Sequence, residues 1–307
     1  MTCPRRVLRA AALMLALCAT GATLASPRYC DTPRTLSAAQ HDRQLRFAAA
    51  ARDVLEASGH SVALVARSGV ALDRFGQRFS HAGVALRSDT DGSWAVRQLY
   101  YACDAAEPQL FDQGLPAFVA GGDEPDLGHL WVLLLPSEPA QRLHVLARDN
   151  RRALQLLAPR YSANAHAFST AYQNCNQWLA ELLAAAWGGL PEAPDTEVAR
   201  AQAQRWLQTR GYEPTAFELG WRVLMWASTL VPLLHDDDHP VQDIQALRYR
   251  VSMPASIESF VRAAVPGTQR LELCHSATAG HIVLRRGWSA LSQDCHAGPG
   301  DEVTSLR

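Results

Sequence analysis

The clearest hydrophobic pattern in the chain is helical and covers residues 175–189. Apolar residues recur there in pairs every four positions, at 178, 179, 182, 183, 186 and 187. This spacing places one apolar stripe along a helix and predicts that the stripe packs on a core. Asn174 is a favourable N-cap, Gln177 fits the start of a capping box, and Gly188-Gly189 end the pattern. Cys175 therefore takes the first helical position.

The residues before this helix alternate between strand-like and helical patterns. Short runs rich in β-branched residues predict strands, and the polar, turn-rich segments between them predict turns and loops. In chain order we expect a helix over 38–57, a strand over 62–67, a hairpin of strands 80–87 and 94–101, a loop over 103–127, a strand buried on both faces over 129–135, and a helix over 139–156.

The hairpin brings two polar residues to one face of the predicted sheet. A four-residue loop over Ser88–Asp91 pairs Arg87 with Gly92, and this register sets Gln98 directly opposite His81. Side chains alternate between faces with a period of two, so both residues face the same side.

The residues after the cysteine helix predict further elements, with one ambiguous stretch. We expect a linker over 191–195, helices over 197–210 and 254–264, and a strand pair over 269–273 and 281–285. The apolar stretch 217–234 has the character of either a packed helix or a membrane segment. Because Pro232 breaks it and Glu218 and Arg222 charge it, we favour a packed helix.

The N-terminus has the three parts of a secretory signal peptide. Three arginines within the first nine residues precede an apolar run over 10–19, and small residues follow up to Ala25. The run is too short to span a bilayer, so we expect a cleaved leader over 1–25 and no transmembrane span. The remaining chain suits one large domain over 26–190 with an extension over 191–307, packed on the same domain.

Charge argues against one class of partner. Cleavage after Ala25 removes three arginines and no acidic residue, which takes the formal net charge from −1 to −4. Since no basic patch is present, we expect no nucleic-acid partner.

Cysteine usage supports export and leaves one thiol free. Five of the seven cysteines remain after cleavage, and exported cysteines tend to pair. Five cannot all pair internally. We expect Cys175 to stay free, and of three possible connectivities among the others we favour Cys30–Cys103 with Cys274–Cys295.

Cys175 also has a chemical reason to stay free. Unpaired N–H groups and the dipole at a helix start favour a thiolate, which predicts a lowered pKa. A nucleophile needs a base, and the base needs an orienting partner; His81 and Gln98 supply both. Taken alone, each of the three residues is more often structural than catalytic.

Three motifs together resemble the circularly permuted papain-like proteins, the NlpC-related group that includes lecithin retinol acyltransferase-like enzymes. The motifs are Ser80-His-Ala-Gly-Val-Ala-Leu86, then Val96-Arg-Gln-Leu-Tyr100, then Asn174-Cys-Asn-Gln-Trp178. Their order, spacing and flanking residues match the histidine strand, the second polar residue and the cysteine helix of that group. Gln98 departs from the pattern, because histidine is usual there.

The resemblance implies an α+β, permuted papain-like fold, in which an antiparallel sheet packs on the cysteine-bearing helix and a mostly helical extension follows. It implies that Cys175 is the nucleophile, His81 the base and Gln98 a neutral orienter. The whole chain also resembles an uncharacterised family of exported bacterial proteins, which implies a periplasmic or secreted location.

Two functions remain open from the sequence. The first is a secreted cysteine hydrolase or acyl-transfer enzyme that acts on a peptide, cell-wall amide or lipid ester without a cofactor. The second is an inactive envelope protein that keeps the fold for binding, and Gln98 favours it. The His235-Asp-Asp-Asp-His239 motif could bind a metal, but its charge and Pro240 favour a solvated loop, so we expect no metal. We expect His275 and His281 to be structural.

Overall fold

An eight-stranded antiparallel sheet forms the centre of the fold in a computed structural model that describes residues 35–228 and 230–306. A second, two-stranded sheet accompanies it in the described residues. In chain order the elements are α1 Ala38–Ala57, β1 Val62–Arg67, β2 His81–Arg87, β3 Trp94–Ala102, β4 Glu107–Gly114, α2 Leu115–Ala120, β5 Leu127–Leu134, α3 Ser137–Arg148, α4 Asn150–Gln155, α5 Cys175–Gly188, α6 Thr196–Thr209, β6 Thr215–Glu218, α7 Arg222–Ser228, α8 Val241–Gln245, β7 Arg248–Val251, α9 Pro254–Ala264, β8 Gln269–Ser276, β9 His281–Arg286 and β10 Glu302–Ser305.

Strands from both ends of the chain build the large sheet. Its order is β10-β9-β8-β5-β1-β2-β3-β4, and every neighbouring pair is antiparallel. The α+β prediction with an antiparallel sheet is confirmed. Residues 191–307 are less helical than predicted: the expected strand pair is present as β8 and β9, and together with β10 it completes this sheet.

The sheet is covered on both faces, and its central strands show this directly. In β1, Val62 and Leu64 belong to the cluster that includes α5, whereas Ala63 and Val65 belong to the cluster that includes α1. Successive side chains of a strand point to opposite faces, so a strand between two layers must be apolar throughout. The predictions of a strand over 62–67 and of a doubly buried strand near 129–135 are confirmed.

Helix α5 lies against the sheet and begins as its sequence predicts. The Asn174 side chain accepts a hydrogen bond from the Gln177 backbone N–H at 2.7 Å, and Gly189 ends the helix in the left-handed conformation at φ 57°. The reciprocal half of the capping box is missing. Gln177 Nε2 instead donates to the backbone carbonyl oxygens of Ala167 and Ser169, which fixes the segment leading into the helix.

Three other helices also match, and one predicted helix is divided. Those over 38–57 and 254–264 agree with α1 and α9, and the one over 197–210 agrees with α6 within one residue. The helix predicted over 139–156 is two helices, because the Asp149 side chain accepts from the Arg152 backbone N–H and caps a new helix there.

The segment 103–127 is not a loop. It contains β4, which pairs with β3 over eight residue pairs, and the short helix α2. Strand β4 is the edge of the sheet and is largely exposed, so it has no apolar run to reveal it. Pro108 also argues against a strand in the sequence, although proline is tolerated on an edge strand.

The stretch 217–234 is not one packed helix. It contains the end of β6 and the seven-residue α7, in which Met225 is the buried side chain. Trp221 and Trp226 are 73% and 65% exposed. Among the described residues, no helix is long and apolar enough to cross a membrane.

The disulfide Cys274–Cys295 links β8 to the segment after β9 and confirms that prediction. It is compatible with an exported protein. Cys175 is the free cysteine among the described residues. The predicted Cys30–Cys103 pair includes Cys30, which lies outside the described residues, as does the predicted leader.

Candidate active site

A cavity of about 600 Å³ opens where α5 begins and β2 starts. Cys175, the first residue of α5, and His81, the first residue of β2, both line it. Each side chain is 7% exposed. The cavity therefore brings together two residues that are 94 positions apart in the chain.

His81 and Gln98 form a direct hydrogen bond, with 2.5 Å between His81 Nε2 and Gln98 Oε1. The predicted register of the hairpin is nevertheless wrong by two residues, because Arg87 pairs with Trp94. The connecting loop has six residues, and Asp91 stabilises it by accepting from the Ser93 backbone and hydroxyl. A shift of two preserves the face, so the two side chains still meet diagonally.

Gly83 permits the close contact of β2 and β3 at this point. A Cβ atom there would lie 2.6 Å from Val96 Cγ1 and 2.8 Å from the Arg97 carbonyl oxygen. Any larger residue would push the strands apart beside Gln98.

A second glutamine fixes the orientation of the first. Gln98 Nε2 donates to Gln113 Oε1 on β4 at 2.6 Å, which leaves Gln98 Oε1 to face His81. A carbonyl oxygen only accepts, so His81 Nε2 carries the proton and Nδ1 is the basic nitrogen. The sequence prediction missed Gln113, because residues 103–127 were expected to form a loop.

Arg67 is a buried cation beside the histidine, also missed from the sequence. It pairs with His81 across β1 and β2, is 6% exposed and also lines the cavity. Its guanidinium lies 5.5 Å from the centroid of the Phe118 ring. A Cβ atom on Gly121 would lie 2.7 Å from Arg67 Nη2, so that glycine makes room for it. An arginine at the end of an otherwise apolar strand was the available signal.

Burial and Arg67 set the protonation of the histidine. Burial lowers the pKa of His81 to about 3, and the Arg67 charge adds to the effect. The hydrogen bond to Gln98 acts in the opposite direction, as expected for a partner of the N–H group. His81 is therefore a neutral imidazole near pH 7.

The predicted lowering of the cysteine pKa is wrong in its net direction. Burial raises the pKa of Cys175 to about 12. The backbone N–H of Asn176, the Arg67 charge, the N–H of Cys175 itself and the Tyr161 hydroxyl all lower it, but burial outweighs them. The helix start thus has its expected effect, on a thiol that stays neutral.

Asn176 connects the two halves of the site. Its Nδ2 donates to the Ser80 carbonyl oxygen at 3.0 Å, so the residue after Cys175 is joined to the residue before His81. The side chain is 2% exposed, and in the described part of the chain its Oδ1 has no hydrogen-bond partner.

A buried ion pair supports the same helix further along. Glu181 Oε2 accepts from Arg200 Nε at 2.9 Å, and both side chains are at most 1% exposed. Arg200 also donates to the carbonyl oxygens of Thr170 and Tyr172, at 2.7 and 2.9 Å. The pair therefore fixes the segment that enters the cysteine helix.

The acidic loop 235–239 is packed for the most part, contrary to the sequence prediction, although Asp237 is exposed. The His235 ring stacks on Tyr172 with 4.4 Å between centroids, and Asp237 accepts from the Tyr172 hydroxyl. Asp238 accepts from the His166 backbone N–H at 2.9 Å. Within residues 35–228 and 230–306, no group of three histidine, cysteine or acidic residues is placed to bind a metal.

The two remaining candidate histidines contact the framework. His275 is buried and its ring lies 4.6 Å from that of Phe47. His281 Nε2 lies 3.1 Å from the Cys295 carbonyl oxygen. Neither lines the cavity.

Comparison with known proteins identifies one family. Residues 54–261 match a family described as "Uncharacterized protein conserved in bacteria (DUF2145)". This range contains Arg67, His81, Gln98 and Cys175. No curated protein and no solved structure matches the chain.

Proposed function

The chain belongs to this bacterial family, and we propose that it is a cysteine hydrolase or acyl-transfer enzyme that acts on an amide or ester bond. The observation that carries the proposal is the shared cavity. A cysteine at a helix start and a histidine with an oriented tautomer line the same space, although distant in sequence. The antiparallel sheet and the cysteine at the start of α5 also support the permuted papain-like architecture.

The first step is attack by Cys175 on the carbonyl carbon. His81 Nδ1 takes the thiol proton as the C–S bond forms, and the carbonyl oxygen becomes an oxyanion. The N–H groups of Cys175 and Asn176 at the start of α5 suit stabilisation of that oxyanion. His81 then gives the proton to the departing amine or alcohol, and an acyl-thioester remains.

The second step releases the acyl group. Water or an acceptor alcohol attacks the thioester, His81 Nδ1 takes its proton, and the sulfur leaves and is reprotonated. The hydrogen bond to Gln98 occupies Nε2 throughout, which leaves Nδ1 as the nitrogen that exchanges the proton. Arg67 opposes a long-lived imidazolium, so proton transfer accompanies attack and does not precede it.

The alternative is an inactive protein that binds a ligand in the cavity. The neutral states of Cys175 and His81 favour it, because neither group is activated at rest. Gln98 also favours it, since a neutral amide stabilises an imidazolium less than a charged partner does. The protein would then be a periplasmic or secreted binding protein, the location expected from the leader.

Hydrolysis assays on wild type and Cys175→Ala separate the two functions. We expect the wild type to cleave at least one member of a panel of p-nitrophenyl esters and p-nitroanilides, and Cys175→Ala to lose at least about a thousandfold in rate. Ser162→Ala, a buried change on the nearby segment, is the matched control and should retain activity. Activity that survives Cys175→Ala would end the thiol mechanism, and a wild type inert to the whole panel would favour the binding protein.

Alkylation provides a second test that needs no substrate. Because the thiolate is the reactive form, the rate of Cys175 alkylation by iodoacetamide should rise about tenfold per pH unit from pH 8 upward without a plateau near neutrality. A plateau below pH 8 would contradict a neutral resting thiol.

A further inference from the structure

Among the described residues, exposed large hydrophobic side chains are densest on one short segment. Five lie within ten positions around α7 and form what we call the apolar patch: Trp221 73%, Val223 68%, Leu224 53%, Trp226 65% and Leu230 67% exposed. Single exposed apolar residues need no explanation, whereas a contiguous group marks a site of contact.

The same segment also forms one wall of the cavity. Leu224, Ala227, Val231 and Leu234 line it together with Cys175. Leu224 belongs to both surfaces, so the apolar patch is continuous with the rim of the cavity. Met225 lies between them and anchors the helix, packed with Tyr249 and Val251. A surface that contacts the patch therefore also adjoins the entrance to the cysteine.

Size argues against a protein as the occupant of the patch. A stable protein interface takes about 20–30 residues from each side. The apolar patch has five residues on one segment, with exposed Pro232 beyond it. It is too small to hold a protein partner by itself.

Composition and charge favour a lipid surface. Indole rings suit the boundary between headgroups and acyl chains, because one edge is polar and the body is apolar. Residues 219–235 include Arg222, which is exposed, and no carboxylate, whereas the exposed Glu218 and Asp237 lie just outside this stretch. Arg222 is therefore the charge within the patch itself, and it complements anionic lipid headgroups.

We propose that the apolar patch docks on the surface of a lipid bilayer, with the entrance of the cavity facing the acyl region. Trp221, Val223 and Leu230 enter the boundary layer, and Arg222 contacts the headgroups. The cavity is then supplied from the membrane and not from bulk water. Docking needs no thiol chemistry, so this proposal can be tested independently of the enzymatic function.

Co-sedimentation with lipid vesicles tests the proposal. The full chain without its leader, carrying Cys175→Ala to exclude turnover, is mixed with vesicles of phosphatidylcholine alone or with added phosphatidylglycerol. We expect it to sediment with the vesicles, more strongly with phosphatidylglycerol, and to show a blue shift in tryptophan emission. The double variant Trp221→Ser/Leu230→Ser should lose at least about tenfold in affinity.

The matched control removes equally exposed residues from α1 and α3. Leu45 and Val145 are 61% and 65% exposed, and Leu45→Ser/Val145→Ser should bind as the parent does. If the double variant in the patch melts early, Val223→Ser alone replaces it, with an expected loss of about threefold or more. A parent that stays in the supernatant with both vesicle types overturns the proposal. An equal loss of vesicle affinity in the control variant also overturns it. So does a patch variant whose effect is limited to dissociating a dimer, as measured by sedimentation velocity.

Discussion

Helix α5 presents two buried polar sites, and they differ in what surrounds them. At its N-terminus Cys175 and Asn176 line a cavity. Further along, Glu181 is fully buried and its two carboxylate oxygens accept hydrogen bonds from Arg200, Gln204 and Gln173. Both sites are buried, but only one of them faces space that a ligand can occupy.

The difference shows which buried polar groups stabilise the fold and which are available for chemistry. A buried charge with its hydrogen bonds complete is a structural element, and its loss is felt as instability. A buried polar group on a cavity is compensated less fully and retains capacity for a substrate. The protonation states at the cysteine site have the same cause: a buried titratable group without an oppositely charged partner stays neutral.

The largest expected effect is on stability, from Arg200→Met. Burial raises the pKa of Glu181, and Arg200 opposes that effect. The change leaves this carboxyl buried without its cation, which should cost about 3–5 kcal/mol in the free energy of unfolding. Urea denaturation measures it. The double variant Glu181→Leu/Arg200→Met, which removes both charges, should recover most of the loss. A single variant that loses less than about 1 kcal/mol would mean that the ion pair is not structural.

A second effect appears on acidification and belongs to His81. Its pKa is about 3 in the folded protein and 6.5 ordinarily, so the unfolded chain binds the proton more tightly. Stability from this group is complete above pH 6.5 and falls as the pH drops towards 3. We expect a loss of about 2–3 kcal/mol between pH 7 and pH 4 in the wild type relative to His81→Gln.

The comparison with His81→Gln isolates that effect, because burial also lowers the pKa of His166 and of His275 to about 4 in both proteins. Parallel curves for the two proteins would show that His81 is not protected from protonation in the folded state.

Asn176→Asp should lower the rate, and because it buries an unpaired carboxylate it should lower the stability as well. Without the donor to the Ser80 carbonyl oxygen, α5 and β2 lose the bond that relates Cys175 to His81. We expect kcat on a cleaved p-nitrophenyl ester to fall about tenfold, ~1.4 kcal/mol in the barrier, with KM nearly unchanged. Asn150→Asp, on the exposed first residue of α4, is the control. A fall in melting temperature with kcat preserved would make Asn176 a structural residue alone.

The smallest expected effect comes from Gln113→Leu. Gln98 keeps its bond to His81 but loses the acceptor that fixes the amide orientation, so kcat should fall by about two- to fivefold. Gln109→Leu, four pairs along β4, should leave the rate unchanged. A tenfold fall in kcat for Gln113→Leu, as expected for Asn176→Asp, would contradict our ranking of these two hydrogen bonds by their importance for the rate.

The sequence was informative where one local rule decides the structure. The N-cap of α5, the doubly buried strands and the same-face relation of His81 and Gln98 follow from spacing alone. The sequence was not informative where contacts between distant parts of the chain determine the structure. Strand β4 forms because its backbone can hydrogen-bond to β3. The thiol of Cys175 is neutral because elements distant in the sequence bury it. Arg67 lies between these two cases. The sequence places it at the end of an apolar strand but does not predict that it lies beside His81.

The pairing of β5 with β8 has a consequence for how the molecule is assembled. Leu130 pairs with Leu273, 143 residues later in the chain. Closing so long a loop is slow compared with forming the hairpin of β2 and β3. Until β8 pairs with it, one edge of the largely apolar β5 is open to any other extended chain. A newly made molecule is therefore most vulnerable to aggregation after its cysteine helix has formed and before its last 40 residues have docked.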